Sequence, residues 1–221
     1  MLRLKSLGYT TGGLDVTQGE MGTRGTVEGR TLEAFAAAEI LKIDVRQNLG
    51  LPDGHVFVDD ASRTAMVRTL RPLKPKLILT HQIGDPHPDH DHIALLVREA
   101  ARLASMKNYD PASGAEKIAV PRVAHNIFSR RVEPSFIVDI SEFLDAKMAA
   151  IRAHASQFYD PNSSEPETRL TDKRFLEELE SRSRYFGSLI GVAAGEPFYV
   201  REALNVEDPV DLLTRPMNLY S

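Results

Sequence analysis

The feature that most constrains the fold of this chain is a segment rich in histidine and aspartate between an apolar run and an amphipathic run. Residues 84–92 (GDPHPDHDH) contain three of the seven histidines and three carboxylates. They follow the apolar run 76–80, which predicts a buried strand, and precede apolar residues spaced three and four apart from 93 to 104, which predict a helix. We therefore expect the histidines on a strand-to-helix loop, at the carboxyl end of a strand, where ligands bind in open α/β sheets.

The same segment has a purely structural interpretation. Asp89 or Asp91 would cap the following helix, and Pro88 would fix a turn. Three histidines within six positions favour a functional site instead, because histidine and aspartate are the side chains of metal binding and acid–base chemistry. His87 and His90 can converge at a helix start, but a catalytic zinc needs three protein ligands, so the others must come from elsewhere.

The composition excludes several classes of protein. Of the 221 residues, 42% are hydrophobic and 26% charged, as in a globular protein with one buried core. A net charge of −4 argues against nucleic acid as the main partner, since phosphate binding needs a basic face. The absence of cysteine excludes disulfides and thiolate metal sites and fits a cytoplasmic location. No apolar run is long enough for a membrane span or, within residues 1–13, for a signal peptide.

The order of the predicted elements indicates an α/β fold. Strand–helix alternation up to residue 105 predicts a doubly wound, mostly parallel, Rossmann-like sheet, to which residues 106–221 add a carboxyl-terminal half within one domain, 1–221. The predicted strands are 10–17, 44–49, 76–80, 122–128, 136–140 and, at a sheet edge, 195–202. The predicted helices are 2–7, 28–43, 59–70 (capped by Asp59 or Asp60), 90–105, 141–156 (capped by Ser141) and 175–187 (ended by glycine).

Six blocks of the sequence together carry a family resemblance. In chain order they are 15–25 (DVTQGEMGTRG), 48–54 (NLGLPDG), 87–90 (HPDH), 134–141 (PSFIVDIS), 156–159 (SQFY) and 185–191 (YFGSLIG). With these blocks the chain resembles the zinc-dependent N-deacetylases of the LmbE-like (PIG-L) family, and among them the deacetylases of bacillithiol biosynthesis. Members of this family are metal-dependent hydrolases that remove acetyl from an N-acetylglucosamine unit.

The resemblance implies roles for four residues. His90 is expected to bind Zn²⁺, or another divalent metal, and His87 to stabilise the tetrahedral oxyanion as a catalytic residue. Asp89, between them, is expected to assist catalysis by orienting an imidazole. Arg30 is expected to bind the acidic end of the substrate, which would explain a cation in the first turn of a helix. Pro86 stands where relatives often carry arginine, which removes one expected substrate contact.

The sequence departs from the family pattern at its start. The family opens with a strand that leads to Ala-His-Pro-Asp-Asp, which supplies a second zinc histidine, a zinc aspartate and the general base. Here no histidine precedes His55, and Asp15 lies on the following strand. We therefore expect the first strand of the sheet to be missing, the active site to be incomplete, and the 221-residue chain to have little or no activity.

Three interpretations stay open at this point. The first is an N-deacetylase with a truncated start, acting on an N-acetylglucosaminyl compound of the bacillithiol-precursor type. The second is a non-catalytic relative that binds a sugar or assembles with a partner. The third is a phosphoesterase-like metallohydrolase that uses Asp85, His87, His90 and His92 as a local cluster. In the first interpretation the partner is a small-molecule substrate, and neither nucleic acid nor a membrane is expected. The sequence leaves three points open: whether the chain forms a homo-oligomer, which aglycone the substrate carries and which metal is used in cells.

Overall fold

The computed structural model describes residues 1–128 and 132–215. Its strands are β1 (Gly12–Asp15), β2 (Val45–Asn48), β3 (Leu77–Thr80), β4 (Arg122–Asn126), β5 (Phe136–Asp139) and β6 (Gly195–Tyr199). Its helices are α1 (Leu2–Ser6), α2 (Val27–Ile40), α3 (Asp60–Leu73), α4 (Pro88–Leu103), α5 (Leu144–Arg152), α6 (Phe175–Leu189) and α7 (Pro209–Leu213). Within these residues no helix combines the length and the apolar character that crossing a membrane requires.

The chain folds into two compact units, which are described separately. The first contains residues 1–48 and 137–196 together with the described residues from 206 onward, and the second contains 49–136 and 197–205. Strands alternate with helices and include parallel pairs, so the predicted α/β class is confirmed. The units do not coincide with the predicted halves 1–105 and 106–221, and the single domain stays a prediction.

In the first unit, β1 and β2 form a parallel pair, with Gly12 opposite Val45 and Asp15 opposite Asn48. The Arg46 guanidinium donates to both carboxylate oxygens of Asp15 at 2.8 Å, and so links the two strands through their side chains. Such a two-pronged contact is among the stronger hydrogen bonds between side chains, because both partners are charged.

Helix α2 connects these strands. Its N-cap is Thr26, whose hydroxyl accepts a hydrogen bond from the Gly29 N–H at 3.0 Å, and it carries four alanines, the best helix former. The buried Ala37 and Ala38 lie on this helix, and α2 packs against α5. Small side chains allow the two helices to approach each other closely.

The core of the first unit is an apolar cluster around α5. Its buried members are Ile140, Leu144, Met148 and Ala194, and the partly buried side chains packed against them are Val138, Ile151, Leu176 and Leu179. Full burial of a side chain such as leucine contributes roughly 1.5–3 kcal/mol, so this cluster stabilises the unit.

In the second unit, β3 and β4 form a parallel pair, from Leu77 opposite Arg122 to Thr80 opposite His125. Helices α3 and α4 pack against each other, and α4 also packs against both strands. The Asp59 carboxylate caps α3 by accepting the Ser62 N–H at 2.8 Å, which confirms the predicted cap. The side chains buried on the facing sides of α3 and α4 are Met66, Val67, Leu70, Ile93, Leu96, Val97 and Ala100.

Strand β6 is an internal strand, so its predicted position at a sheet edge is wrong. The strand order is β3-β4-β6-β5, and Phe198 and Tyr199 of β6 pair in antiparallel fashion with β4. Pro197 lacks an N–H group, which usually restricts proline to edges. Its carbonyl, however, accepts a hydrogen bond from the Ile127 N–H at 3.3 Å, so this proline is accommodated between neighbours.

Two predicted helix ends also differ. Ser141 does not cap α5, because its hydroxyl donates to the Asp139 carboxylate at 2.6 Å and residues Ser141–Phe143 form a separate 3-10 turn. Gly187 does not end α6, which continues to Leu189. A Cβ atom at Gly187 would lie 2.6 Å from the Cα atom of Ala194, so this glycine serves close packing of the helix.

Substitution Gly187→Ala is therefore expected to destabilise the protein by about 1–3 kcal/mol, the usual cost of overpacking. The clash is with main-chain atoms, which cannot rotate away as a flexible side chain would. The measurement is the midpoint and slope of urea unfolding. Arg184→Ala in the same helix is the control, because it removes only an exposed ion pair with Glu180 and should cost at most about 0.5 kcal/mol. Equal effects of the two substitutions would contradict the assigned close approach.

Candidate active site

The histidine-rich segment lies between β3 and α4 in the second unit. His87 is the N-cap of α4, which begins at Pro88, so the prediction that Asp89 or Asp91 caps the helix is wrong. Proline fits the first helical position because its missing N–H would have no intrahelical acceptor there. The two later histidines of the segment consequently lie in the first turns of the helix and not in the loop.

Three imidazole rings stack at this helix start. The His90 ring lies between those of His81 and His87, with centroids 4.5 Å apart on both sides and interplanar angles of 28° and 22°. His87 and His90 are three residues apart, the spacing that brings side chains to one face of a helix. His81 directly follows β3, and the sequence pattern did not single it out. His87 is exposed, so a ligand in solution can reach it.

Asp85 is the carboxylate next to this stack. Its Oδ1 atom lies 3.3 Å from the His90 Nδ1 atom and accepts a hydrogen bond from the His87 backbone N–H at 2.9 Å. A carboxylate can only accept when ionised, so it favours the His90 tautomer with the proton on Nδ1 and leaves Nε2 as the basic nitrogen. The resemblance assigned no role to Asp85, although it lies in the same segment.

Asp89 has a different function in the structure from the one expected. Its side chain is buried, and its two oxygens accept the backbone N–H groups of Gly54 at 2.7 Å and Val56 at 3.2 Å. The expected contact with an imidazole is absent from the hydrogen bonds of the described residues, and Asp85 makes that contact with His90 instead. A catalytic role for Asp89 stays a prediction.

His92 is held by the same neighbouring segment. Its Nδ1 atom lies 2.6 Å from the Val56 carbonyl oxygen, to which it donates, and its ring is 5.9 Å from that of Phe57. Throughout residues 1–128 and 132–215, no group of three or more histidine, aspartate or glutamate side chains is arranged to hold a metal ion. The local metal cluster of the phosphoesterase-like interpretation is therefore not assembled by these residues.

His81 shows how strongly burial affects this site. Burial, reinforced by the neighbouring His90, lowers the pKa of His81 to about 4, so its ring is neutral at pH 7. Its Nδ1 atom is buried and has no hydrogen-bond partner among the described residues. A zinc site would need two further ligands besides His90 in a tetrahedral arrangement, and the described residues do not provide that set.

Arg30 lies in the first unit, where it holds the glycine-rich loop. Its guanidinium donates to the carbonyl oxygens of Gly19 at 2.9 Å and Arg24 at 3.2 Å, and to the side chain of Gln157. A Cβ atom at Gly19 or Gly22 would collide with this guanidinium, so a larger residue at either position would displace the Arg30 side chain. The three hydrogen bonds give Arg30 a structural role, and the expected role in substrate binding stays a prediction.

The glycine-rich loop itself contains a structural arginine, Arg24, which the sequence analysis did not identify. Arg24 is 5% exposed, and it donates to the Ser156 carbonyl oxygen at 3.0 Å and to the Ser163 hydroxyl at 2.9 Å. Glu33 of α2 accepts the Ser156 N–H at 2.6 Å and its hydroxyl at 2.9 Å. Hydrogen bonds therefore connect two of the blocks that carry the resemblance, 15–25 and 156–159. In the sequence, the only sign of this contact was that both blocks occur in the same chain.

Known proteins provide an independent comparison. Residues 1–101 match the PIG-L family model, described as GlcNAc-PI de-N-acetylase. The chain is 31% identical over 167 residues to diacetylchitobiose deacetylase of Thermococcus kodakarensis, covering 67% of this chain and 61% of the relative. A solved structure of a conserved protein from Thermus thermophilus superposes with a TM-score of 0.81 at 33% identity, over 93% of this chain and 88% of that one.

The chain belongs to the PIG-L (LmbE-like) family. The family also includes relatives with another activity in their name: 4-oxalmesaconate hydratase of Pseudomonas putida is 30% identical over 145 residues, covering 63% of this chain and 55% of the relative. The chain spans about three fifths of the length of these two curated relatives. Family membership confirms the expected resemblance, while the bacillithiol-type specificity stays a prediction.

The buried carboxylate of Asp89 generates a stability prediction for this PIG-L chain. Asp89→Asn replaces one acceptor oxygen by an NH₂ group that faces a backbone N–H, so one of Gly54 and Val56 loses its partner. We expect a loss of about 1–3 kcal/mol in the free energy of unfolding, measured with urea.

Asp91→Asn is the matched control. The Asp91 side chain accepts a single backbone N–H, that of Gly84, in an exposed position, so its replacement should cost less than about 1 kcal/mol. If the two variants unfolded at the same urea concentration, the hydrogen bonds of Asp89 would not hold the start of α4 as described.

Proposed function

We propose that this chain belongs to an N-deacetylase-type hydrolase that acts on an N-acetylated amino sugar. The observation that carries the proposal is the stack of His81, His90 and His87 beside Asp85, at the start of a helix that follows a parallel strand. Membership of the PIG-L family and similarity to a diacetylchitobiose deacetylase support this reaction class.

Amide hydrolysis requires a group that takes a proton from water and a donor for the oxyanion. We assign His90 to neither role, because the Asp85 carboxylate beside its Nδ1 atom leaves Nε2 as the nitrogen that would bind a metal ion. His87 has the character of the second, because it is exposed and lies at the N-terminus of α4, where the helix dipole favours negative charge. The two imidazoles are in ring contact, so both can face one acetyl group.

In this proposal Zn²⁺, or another divalent metal, enters only as the ion that His90 would bind, as the family resemblance implies. The described residues supply no complete ligand set, so no step of the proposed chemistry is assigned to the metal. Metal content and catalytic rate are therefore separate measurements, and each has its own variant.

The finer proposal is a substrate of the bacillithiol-precursor type, an N-acetylglucosaminyl compound with an acidic aglycone. It depends on Arg30, whose guanidinium has five N–H groups, three of which the loop and Gln157 already use. A carboxylate would bind to the others, which a planar guanidinium presents in a fixed fork.

A second candidate reaction is hydration, which the name of the Pseudomonas putida relative suggests. It would use the same imidazoles to transfer protons, but it adds water to a double bond and releases no acetate. An assay of acetate release from N-acetylglucosamine compounds, run beside an assay of water addition to an unsaturated carboxylic acid, distinguishes the two. Binding of a sugar without turnover in either assay would favour the non-catalytic interpretation.

The roles of His87 and His90 can be separated in a form of the protein that contains all three zinc ligands expected of the family, because the described residues supply no complete set. We expect His87→Gln to lower kcat for acetate release by about 10²–10³, the usual effect of losing an oxyanion donor, with unchanged zinc content. His90→Gln should lose zinc and activity together. Metal content by atomic emission and single-turnover rates provide the measurement.

His55→Gln is the control for these variants, because His55 is an exposed histidine of the same unit whose Nδ1 atom contacts only the nearby Asp53 carbonyl among the described hydrogen bonds. A His87→Gln protein that retained full activity would exclude His87 from the reaction. Loss of zinc in His87→Gln would mean that both histidines bind the metal.

In the same form of the protein, Arg30 provides a test of substrate type. We expect Arg30→Ala to raise KM for an acidic N-acetylglucosaminyl compound and to leave KM for neutral N-acetylglucosamine nearly unchanged, because only the former contacts the cation. Gln157→Ala is the matched control, since it removes a partner of Arg30 and keeps the charge. An equal rise in KM for both substrates, in both variants, would show that Arg30 acts only by holding the loop.

A further inference from the structure

A second feature of the 49–136 and 197–205 unit is a cleft of about 600 Å³. This size lies within the range of small-molecule sites in proteins, roughly 300–1,000 Å³. Its apolar lining comes from Ile83, Ile127 and Val132, and its polar groups include His125 and Tyr199. The lining thus combines aliphatic side chains with polar and charged ones, and such a mixture suits a ligand that has both ring carbons and hydroxyl groups.

His125 is the unusual member of this lining. It is 1% exposed, and its Nδ1 atom lies 2.7 Å from the His81 carbonyl oxygen. A carbonyl oxygen can only accept, so Nδ1 carries the proton. Burial lowers the pKa of His125, which keeps the ring neutral and leaves Nε2 as an acceptor. Within the described residues, Nε2 is buried and has no hydrogen-bond partner.

A buried acceptor without a partner is rare in native proteins, and a bound donor, either a water molecule or a ligand, explains it. The charged residues of the lining, Glu133 and Arg201, have opposite signs, so the cleft as a whole does not select for a charged ligand. The apolar side chains and the Tyr199 ring offer faces against which C–H groups of a ring can pack.

We propose that this cleft binds a neutral polyhydroxylated ring, one of whose O–H or N–H groups donates to Nε2 of His125. His125 is then a substrate-positioning residue. The cleft is adjacent to the histidine stack, because Gln82 and Ile83 follow His81 directly and His125 donates to the His81 carbonyl oxygen. The inference rests on the proposed function only for the choice of an amino sugar as the ligand.

The test is a titration of the protein, labelled with ¹⁵N in its histidines, with N-acetylglucosamine as the probe. We expect the Nε2 resonance of His125 to move as the sugar saturates the cleft, because Nε2 gains a hydrogen-bond donor. His55 is the internal control: its Nδ1 atom also lies near a backbone carbonyl oxygen, that of Asp53 at 3.1 Å, but its ring is exposed and lies outside the cleft lining. An unchanged His125 resonance at saturating sugar would overturn the proposal.

Variants make the same test quantitative. His125→Gln should weaken N-acetylglucosamine binding about tenfold, as expected for the loss of one well-placed hydrogen bond. His55→Gln should leave the affinity unchanged. If His125→Gln fails to fold, the titration of the wild-type protein decides alone.

The outcome is separable from that of the proposed function. Sugar binding at His125, with no acetate release from a form that contains all three zinc ligands, would sustain this site and remove the deacetylase proposal. Acetate release with no response at His125, or equal affinities of wild type and His125→Gln, would sustain the reaction and remove this site.

Discussion

The arrangement of the second unit depends on one buried carboxylate. Asp89 lies in the first turn of α4 and holds the backbone N–H groups of Gly54 and Val56, while the Val56 carbonyl accepts the hydrogen bond of His92. Side chains from the start of α4 thus provide hydrogen-bond partners for the backbone N–H and carbonyl groups of residues 54–56. In a low-dielectric environment these hydrogen bonds are strong and costly to break, so they fix the position from which His90 projects.

The first unit uses arginine in a corresponding way. The buried guanidinium of Arg24 and the half-buried one of Arg30 donate to backbone carbonyl oxygens that lie outside the strands and α-helices. A guanidinium has several donors in fixed directions, so one side chain can satisfy carbonyls from segments that lie far apart in sequence. In the second unit Arg71 does the same for the carbonyls that follow α4, among them those of Met106 and Tyr109.

The site in the second unit combines two kinds of histidine. His87 and His90 lie at the helix start, where a ligand can reach them, whereas His81 and His125 are neutral because burial lowers the pKa of each ring. Neutral imidazoles can accept or donate according to the tautomer that their neighbours impose. Accessible imidazoles and buried, neutral imidazoles that form hydrogen bonds are therefore found within one stretch of structure, from the end of β3 to the end of β4.

The sequence by itself determined the α/β class, the family, and the strand-to-helix position of residues 84–92, because periodicity and local motifs are properties of neighbouring residues. It did not determine that Asp85 lies beside His90 while Asp89 binds a distant backbone, since the direction of a carboxylate depends on the segment it meets. It also did not reveal the acceptor of His125 or the internal position of β6. Those features follow from contacts between residues far apart in the chain, such as His125 with His81 and Ile127 with Pro197, and only the tertiary structure decides them.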